Sequence, residues 1–439
     1  MNNTLKGIQK KVNLSTLYEY NGRVTQVTES LIQAQVHQVK IGEICLLRNI
    51  GSQDTVPAEV VGFKGSTVFL APIGNLQGIS TTTEVIPTGE TLSLNIGDDL
   101  QGCILDGLGH VINFISEQKP SLIQRYPLTS PPPDPLKRNP IIKPLTTGVR
   151  AIDGLLTIGE GQRVGIFAGA GVGKSTLLGM LVQKTDVDVV VVGLIGERGK
   201  EVREFIDFAL DDETRKKTIL IAATSDKTSI ERVKAAHTAT AVAEYFRAQG
   251  KKVLLVMDSL TRYARALREV GIAMGEAAVS RGYPTSVYTE LPKLIERAGQ
   301  SDCGSITAIY TILVEGDDLS DPIADELLSL LDGHIVLSRE LANSSHFPAI
   351  DILKSLSRVM NSVVDKDHIQ SANRLRKLLT DYKEIEFLVK VGEYQKGTDT
   401  EADEALDKYA PINDFLKQGF SDYLSYEDSL EALHELANG

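Results

Sequence analysis

The chain has 439 residues, enough for about three domains of ordinary size and for a large buried core. Hydrophobic residues make up 42% and charged residues 24%, a balance that is typical of folded globular proteins and argues against a disordered chain. The formal net charge of −12 argues against nonspecific nucleic-acid binding, because such binding depends on excess basic charge.

The sequence also indicates a reducing compartment. Its three cysteines, Cys45, Cys103 and Cys303, are far apart, which fits neither a disulfide framework nor a zinc knuckle. The longest apolar run, Val189–Ile195, is too short to cross a bilayer, and the first residues lack the apolar segment of a secretory signal.

The first part of the chain is predicted to be a short leader followed by a β-barrel. In residues 1–20, Leu5, Ile8 and Val12 recur at helical spacing, which indicates either a frayed terminal helix or an amphipathic helix that binds a partner. Residues 21–88 contain short β-rich runs broken by glycine, a pattern typical of a small barrel.

Residues 89–145 are predicted to connect the barrel to the next domain. Residues 120–144 contain 8 of the 16 prolines, and so dense a run forms neither a helix nor a central strand. We expect an extended connector that includes this proline-rich segment.

Residues 146–360 alternate between apolar strands and helical patterns, which predicts an α/β domain. Continuous apolar strands are buried on both faces, so they indicate a parallel sheet covered by helices. The predicted strands are residues 163–168, 189–195, 218–224, 252–258, 305–314 and 334–339.

Residues 361–439 are predicted to form a helical domain. The helical segments are residues 369–382, 385–391, 402–409 and 426–437. Residues 391–439 contain 12 acidic and 3 basic residues, so three quarters of the net charge lies in this tail. We interpret the charge as a solvated helical surface, with a basic partner as the alternative.

A glycine-rich loop between a predicted strand and a predicted helix is the clearest functional motif. Its glycines let successive backbone N–H groups cradle phosphate oxygens, and the helix N-terminus adds partial positive charge. Lys174 would bring a full charge to the β- and γ-phosphates, and the Ser175 hydroxyl is a candidate Mg²⁺ ligand. Ala168 stands where the strict motif has its first glycine. The candidate nucleotide-binding residues of the loop are Gly169, Ala170, Gly171, Val172, Gly173, Lys174, Ser175 and Thr176.

Two acidic residues at strand ends predict hydrolysis in addition to binding. Glu197 follows a predicted strand 23 residues after Lys174, and neighbouring parallel strands end at one crevice, so Glu197 is expected to orient the attacking water. Asp258 ends the strand at 252–258 in a Walker B arrangement, in which the carboxylate holds Mg²⁺.

Two arginines follow these carboxylates in the sequence. Arg198, next to Glu197, is expected to contact phosphate or a neighbouring loop, with a salt bridge as the structural alternative. Arg262 follows Asp258 by four residues and begins a predicted helix near the same site, where it is expected to meet phosphate.

Six motifs follow one another along the chain: GAGVGKST, GERGKEVREF, KVLLVMDSLTRYARA, GSITAIYTILVEGDDLSDPIADE, LDGHIVLSRELA and HFPAIDILKSLSRVM. Together they resemble the ATPases of bacterial type III secretion and flagellar export, a family similar to the catalytic subunits of rotary ATP synthases. The resemblance runs from about Gly22 to the C-terminal helices. It implies an N-terminal β-barrel, a RecA-like P-loop NTPase core and a C-terminal helical domain.

The resemblance also implies roles for single residues. The family's phosphate lysine, catalytic glutamate and Walker B aspartate fall on Lys174, Glu197 and Asp258. Phe347 corresponds to the aromatic residue that packs against adenine. Arg358 resembles an arginine finger from a neighbouring subunit, which neutralises charge on the transferred phosphoryl group.

The same resemblance implies ATP as substrate, Mg²⁺ as cofactor and a homohexameric ring with nucleotide at each subunit interface. The implied partners are stalk and regulator proteins of the export apparatus and chaperone–substrate complexes, without nucleic acid. The implied location is the cytoplasm, peripheral to the export gate on the cytoplasmic face of the inner membrane. Two loops expected to face the ring's channel depart from the family, with Ala277 and Ala278 in place of a common Pro-Pro and Thr285 in place of a second proline.

Three alternatives stay open at this point. The first is the catalytic subunit of a rotary proton-translocating ATPase. The second, an RNA helicase of the transcription-terminator type, is disfavoured by the acidic balance and by the lack of a basic, aromatic RNA face. The third, a regulatory subunit that binds ATP without hydrolysing it, is disfavoured by the carboxylate of Glu197.

Overall fold

The structure is a computed structural model, and it describes residues 21–28, 31–49, 51–114, 124–314 and 320–438. The helix predicted in the leader, residues 1–20, lies outside the described residues.

The N-terminal part of the described chain is a closed antiparallel barrel. Its six strands are β1 (Gly22–Val27), β2 (Ile32–Gln35), β3 (Glu43–Arg48), β4 (Thr55–Lys64), β5 (Thr67–Pro72) and β6 (Glu84–Thr91). They pair in the order β1-β2-β5-β4-β3-β6, and β6 returns to β1. Alternate apolar side chains fill the interior, among them Ile32, Cys45, Val60 and Leu70. The predicted barrel is therefore confirmed.

Four short strands follow the barrel, within the segment that the sequence predicted as a connector. They are β7 (Ser93–Ile96), β8 (Cys103–Asp106), β9 (Val111–Phe114) and β10 (Gln124–Pro127). Strands β7 and β10 pair with each other, whereas β8 and β9 join the large central sheet. The residues 89–145 are thus more than a connector, because two of their strands extend the sheet. The proline-rich residues after β10 form a 3-10 turn, Pro135–Lys137, and an isolated antiparallel bridge between Pro144 and Gly159.

The centre of the molecule is a ten-stranded sheet covered by helices. The remaining strands of the described chain, eight of which belong to this sheet, are β11 (Arg163–Ala168), β12 (Val189–Ile195), β13 (Thr218–Ala223), β14 (Lys252–Asp258), β15 (Ala278–Ser280), β16 (Tyr283–Pro284), β17 (Gly299–Gln300), β18 (Ser305–Leu313), β19 (Gly333–Val336) and β20 (Leu356–Ser357). Strands β15 and β16 form a separate hairpin. The sheet order is β20-β19-β11-β18-β14-β12-β13-β8-β9, with β17 beside β18. All strands from β19 to β8 in this order run parallel. The predicted α/β fold is confirmed.

Helices cover both faces of this sheet. They are α1 (Arg150–Leu155), α2 (Lys174–Lys184), α3 (Gly199–Phe208), α4 (Asp212–Lys217), α5 (Ser229–Ala248), α6 (Leu260–Ala273), α7 (Thr285–Ile295), α8 (Pro322–Leu330), α9 (Arg339–Asn343) and α10 (Met360–Val363). Successive side chains of a strand point to opposite faces, so Val191 of β12 packs in the core under α5 to α8, and Val192 packs in the core under α1 and α2. Both faces are therefore buried.

Three helices end the chain, α11 (Lys366–Val391), α12 (Thr400–Leu416) and α13 (Tyr426–Asn438). The helices predicted at 369–382 and 385–391 are one helix, because the intervening Lys383 and Glu384 are good helix formers. Gly392, with φ 75°, ends it in the left-handed conformation that favours glycine. Leu375 and Phe415 pack into the core that also contains α2.

Within the described ranges, no helix is both long enough and apolar enough to cross a bilayer.

Candidate active site

The loop between β11 and α2 has a backbone conformation that only glycine adopts readily at two positions, and it is open on one side. Gly171 and Gly173 have φ values of 77° and 85°, a region that a residue with a side chain rarely adopts. A Cβ on Gly171 would meet nothing within 4 Å, so the loop faces open space at this point. Residues Ala170, Gly171, Ser175 and Thr176 are exposed at the start of α2, where the helix N-terminus favours an anion.

Lys174 and Asp258 meet beneath this loop. The Lys174 ammonium group donates a hydrogen bond to Oδ1 of Asp258, and the Thr311 hydroxyl donates to the same oxygen over 2.6 Å. Asp258 lies at the end of β14 and is buried, which keeps the pair at the crevice below the loop. These contacts keep the Lys174 ammonium group beside the loop.

The oxygen donors at this point fit a magnesium ion. Ser175 and Asp258 offer a hydroxyl and a carboxylate, and Mg²⁺ prefers a few hard oxygen ligands together with substrate phosphates and water. In the part of the chain that the structure describes, no group of three or more His, Cys, Asp or Glu side chains forms an all-protein metal site. The donor set therefore fits an ion held jointly with a nucleotide.

Glu197 follows β12 and is buried in the same crevice. Arg262 of α6 donates two hydrogen bonds to the Glu197 carboxylate, from Nε to Oε1 at 2.9 Å and from Nη2 to Oε2 at 3.3 Å. Burial raises the pKa of Glu197 to about 7, helped by a hydrogen bond with Glu201 and by the charge of Asp258, and opposed by Lys174 and Arg262. Glu197 is thus poised between its neutral and charged forms near neutral pH.

The two arginines that the sequence places near phosphate differ in their surroundings. Arg262 contacts Glu197, so in this structure its guanidinium is engaged by a carboxylate of the site. Arg198 is exposed immediately before α3, and its backbone N–H donates to Glu201 over 3.3 Å. The structure brings Arg262 into the crevice and leaves the Arg198 side chain at its rim.

Phe347 lies against the other side of the phosphate loop. A Cβ on Gly173 would stand 3.2 Å from two carbons of the Phe347 ring, and the ring is 42% exposed. An exposed aromatic face beside the loop is suited to packing against a flat base.

The structure adds one segment that sequence reasoning missed, the turn between α12 and α13. Gln418 is buried, its backbone N–H donates to the Phe347 carbonyl over 2.8 Å, and its side chain bonds to Arg150 N–H and the Gly148 carbonyl. The Phe420 ring packs within 3.0 Å of a Cβ placed on Gly179 of α2. The one sequence signal was an aromatic residue near glycine after a helix, which is too common to identify a site.

Arg358 lies near the N-terminal ends of the parallel strands, whereas the crevice lies at their C-terminal ends. It directly follows β20, and its backbone N–H donates to the Asp332 carbonyl over 3.0 Å. The Asp332 N–H in turn donates to the carbonyl of Arg163, the first residue of β11. The phosphate loop begins at the other end of β11, five residues on, or about 17 Å at 3.3 Å per residue. Arg358 is therefore separated from the phosphate loop of its own chain.

The geometry thus joins Lys174, Ser175, Glu197, Asp258 and Phe347 around one crevice. Family models match three consecutive parts of the chain. They are the ATP synthase alpha/beta family beta-barrel domain over residues 24–89, the nucleotide-binding domain of that family over 148–357, and the T3SS EscN ATPase C-terminal domain over 364–435. The last match favours export ATPases over rotary ones.

Curated relatives and solved structures agree with these models. The type 3 secretion system ATPase of Xanthomonas euvesicatoria is 51% identical over 94% of this chain and 93% of its own length. The flagellum-specific ATP synthase of Bacillus subtilis is 44% identical over 97% of each chain. The structure of the assembled ATPase EscN from enteropathogenic E. coli aligns with a TM-score of 0.90 and 47% identity, over 95% of this chain and all of that one. EscN in complex with its central stalk EscO aligns over the same shares with a TM-score of 0.86 and 46% identity. Such identity and coverage show that the chain belongs to the family of type 3 secretion system and flagellum-specific ATPases, and that it is an ATP-hydrolysing enzyme.

Proposed function

We propose that this protein hydrolyses Mg-ATP to energise protein export through a type III secretion or flagellar export apparatus, acting as a homohexameric ring. The observation that carries the proposal is the separation of Arg358 from the crevice that contains Lys174, Glu197 and Asp258. One copy supplies the phosphate loop and the carboxylates, and the next copy supplies the arginine. A closed ring gives every crevice such a neighbour.

Within the crevice, each side chain has a defined task. The loop N–H groups and Lys174 bind the phosphates, and Phe347 packs against the adenine. Ser175 and Asp258 would hold Mg²⁺, which neutralises charge on the phosphates when bound. Glu197 accepts a hydrogen bond from the attacking water and orients it for in-line attack. Arg198 would contact phosphate oxygens from the rim of the crevice, and Arg262 would do so after its guanidinium leaves Glu197.

Arg358 of the neighbouring copy completes the site. Its guanidinium stabilises the negative charge that develops on the transferred phosphoryl group, an effect worth about 10³–10⁵ in rate for arginine fingers. Binding of nucleotide therefore needs one copy, whereas fast hydrolysis needs two.

One of the relatives supports a proposed partner. EscN is 46% identical to this chain and binds a central stalk, EscO, which supports a stalk protein as a partner here. We extend the proposal to regulator proteins, chaperone–substrate complexes and the export gate at the cytoplasmic face of the inner membrane. The ranges of the family models, 24–89, 148–357 and 364–435, support a division into barrel, ATPase and helical units at 21–88, 146–360 and 361–439.

The substitution Glu197→Gln tests this function. It keeps the size of the side chain and removes the carboxylate, so hydrolysis is expected to fall by roughly 10²–10⁴-fold while nucleotide binding remains. Secretion of a native substrate from cells that carry only this variant is expected to fall with hydrolysis. Binding is measured by titration with a fluorescent nucleotide, and hydrolysis by phosphate release.

The matched control is Glu213→Gln, the same change at an exposed residue of α4, and it is expected to leave both activities unchanged. Unchanged hydrolysis in Glu197→Gln contradicts the assigned role of this residue. Normal secretion despite lost hydrolysis contradicts the proposal that ATP energises export.

A further inference from the structure

We propose that the ion pair between Asp332 and Arg163 positions Arg358, so that it controls the active site of the neighbouring copy and not that of its own chain. The inference rests on the proposed function, in which Arg358 acts across the subunit interface. Asp332 and Arg163 are positioning residues, because neither lies in the crevice with the phosphate loop.

The base of Arg358 is fixed through the Asp332 carbonyl. This oxygen accepts the backbone N–H of Arg358 at 3.0 Å and Nε2 of Gln162 at 2.9 Å. Gln162 is fully buried and also donates to the Ser357 hydroxyl, which in turn donates to the Thr157 carbonyl over 2.8 Å. Ser357 is therefore bound to the interior through its hydroxyl, and Arg358 is bound through its backbone N–H.

The carboxylate of Asp332 is held just as firmly. Arg163 donates to it three times, from its backbone N–H at 3.1 Å, from Nε at 3.0 Å and from Nη2 at 3.2 Å. Arg163 also bonds to Glu296, which bonds to Arg138. The Arg163 side chain is 15% exposed and that of Asp332 26%, so water screens their attraction much less than that of a surface pair.

This anchor matters because the guanidinium of Arg358 lies at the protein surface. The residue is exposed, and its Nη2 donates to the Leu328 carbonyl at the end of α8 over 3.0 Å. A long side chain reaches a neighbour's phosphate accurately only if its base is fixed, and an error of about 1 Å in such a group can lower the rate by about 10²-fold. The ion pair supplies that fixed base.

The position of the pair also decides which site it serves. Arg163 is the first residue of β11, and the phosphate loop follows the last. A disturbance at Asp332 therefore acts on Arg358 at one end of the strand and leaves the nucleotide crevice at the other end intact. In a ring, the loss appears in the next copy.

The substitution Asp332→Asn tests the inference. It keeps the backbone carbonyl and the side-chain size but removes the negative charge that Arg163 binds. We expect kcat to fall by roughly 10–10²-fold, with KM and the nucleotide dissociation constant within about twofold of wild type. The control is Glu404→Gln, which removes the carboxylate of another arginine pair, Arg374–Glu404, and should leave kcat unchanged.

Mixed assemblies separate a positioning role from a general loss of stability. A Lys174→Ala copy has a dead crevice but an intact Arg358, and an Asp332→Asn copy has an intact crevice but a displaced Arg358. Mixing the two is expected to give several times more activity than the sum of the separate proteins. Mixing Lys174→Ala with Arg358→Ala gives the reference gain.

The outcomes are distinct. The positioning role is overturned if the reference mixture gains activity and the Asp332→Asn mixture does not. It is also overturned if Asp332→Asn raises the nucleotide dissociation constant by the same factor as it lowers kcat. If the reference mixture itself shows no gain, the shared site of the proposed function is wrong, and the positioning role falls with it.

Discussion

The ionisation of Glu197 links a single buried side chain to the working pH of the enzyme. Burial raises the pKa of this residue to about 7, with contributions from Glu201 and Asp258, while Lys174 and Arg262 act in the opposite direction. A general base with a pKa near the working pH is well matched to proton transfer. The raised pKa also affects stability, because the folded protein buries the neutral acid more easily than the carboxylate. The free energy of unfolding therefore falls as the pH rises from the ordinary pKa of a glutamate toward 7.

The pH dependence of kcat/KM follows from this shift. In the proposed mechanism only the carboxylate form of Glu197 orients water, so kcat/KM is expected to fall about tenfold per pH unit below an apparent pKa of about 7. The pH dependence of kcat/KM reports the ionisations of the free enzyme, so it is the quantity to compare with the pKa of Glu197. The measurement is a rate profile from acidic to mildly alkaline pH.

Glu201→Gln provides the comparison for this profile. It removes the charged partner of the hydrogen bond that raises the pKa of Glu197, so the acidic limb should move to lower pH. A limb at the ordinary glutamate value in the wild type, or an unchanged limb in this variant, contradicts the assignment.

At the scale of elements, the turn between α12 and α13 ties the C-terminal helices to the nucleotide crevice. Gln418 accepts the Arg150 N–H at 2.9 Å and donates to the Gly148 carbonyl at 2.8 Å, both at the start of α1. Its backbone holds the carbonyl of Phe347, the ring beside the phosphate loop. Movement of the helical domain therefore reaches the side of the crevice where Phe347 lies.

Gln418→Ala is expected to weaken this link. It leaves a buried N–H and a buried carbonyl without partners, which costs about 1–3 kcal/mol and should lower the midpoint of thermal unfolding by several degrees. The nucleotide dissociation constant should rise several-fold, because the turn that carries the backbone bond to Phe347 loses its side-chain anchors. Gln395→Ala, at an exposed position after α11, is the control and should change neither quantity. Unaltered affinity in Gln418→Ala would show that the turn is only structural.

The elements also show what the sequence could predict. Strands such as β12 and β14 were predictable because unbroken apolar runs fit only a doubly covered sheet, and the crevice followed because parallel strands end together. Strands β8 and β9 were not predictable, because each has only four residues near glycines, a pattern that is equally common in loops. They are strands because β8 pairs with β13 and β9 pairs with β8. The contact of Arg262 with Glu197 joins residues far apart in sequence, and no local pattern selects a carboxylate over a phosphate as its partner.

At the scale of the whole molecule, the barrel is fixed to the ATPase core by a buried ion pair. Lys234 of α5 donates to Oε1 of Glu59 on β4 over 2.7 Å, and both residues are buried. Ile230 packs in one apolar cluster with Phe69 of the barrel. Separation of the two units would break this ion pair and expose the apolar cluster to water, and the burial of that cluster favours the joined arrangement.

The proposed division of the site between copies predicts that activity depends on protein concentration. Dilution would separate the copies and remove Arg358 from each crevice, so activity per milligram should fall toward a residual level, about 10³–10⁵-fold lower if the arginine has the usual effect of a finger. The measurement is phosphate release over a dilution series, with oligomeric mass determined in the same samples. Arg358→Ala is expected to show low activity at every concentration, because assembly no longer supplies the missing cation. Full activity in a sample that contains only monomers would mean that each crevice is complete within one chain, and that the distance between Arg358 and its own phosphate loop has no catalytic meaning.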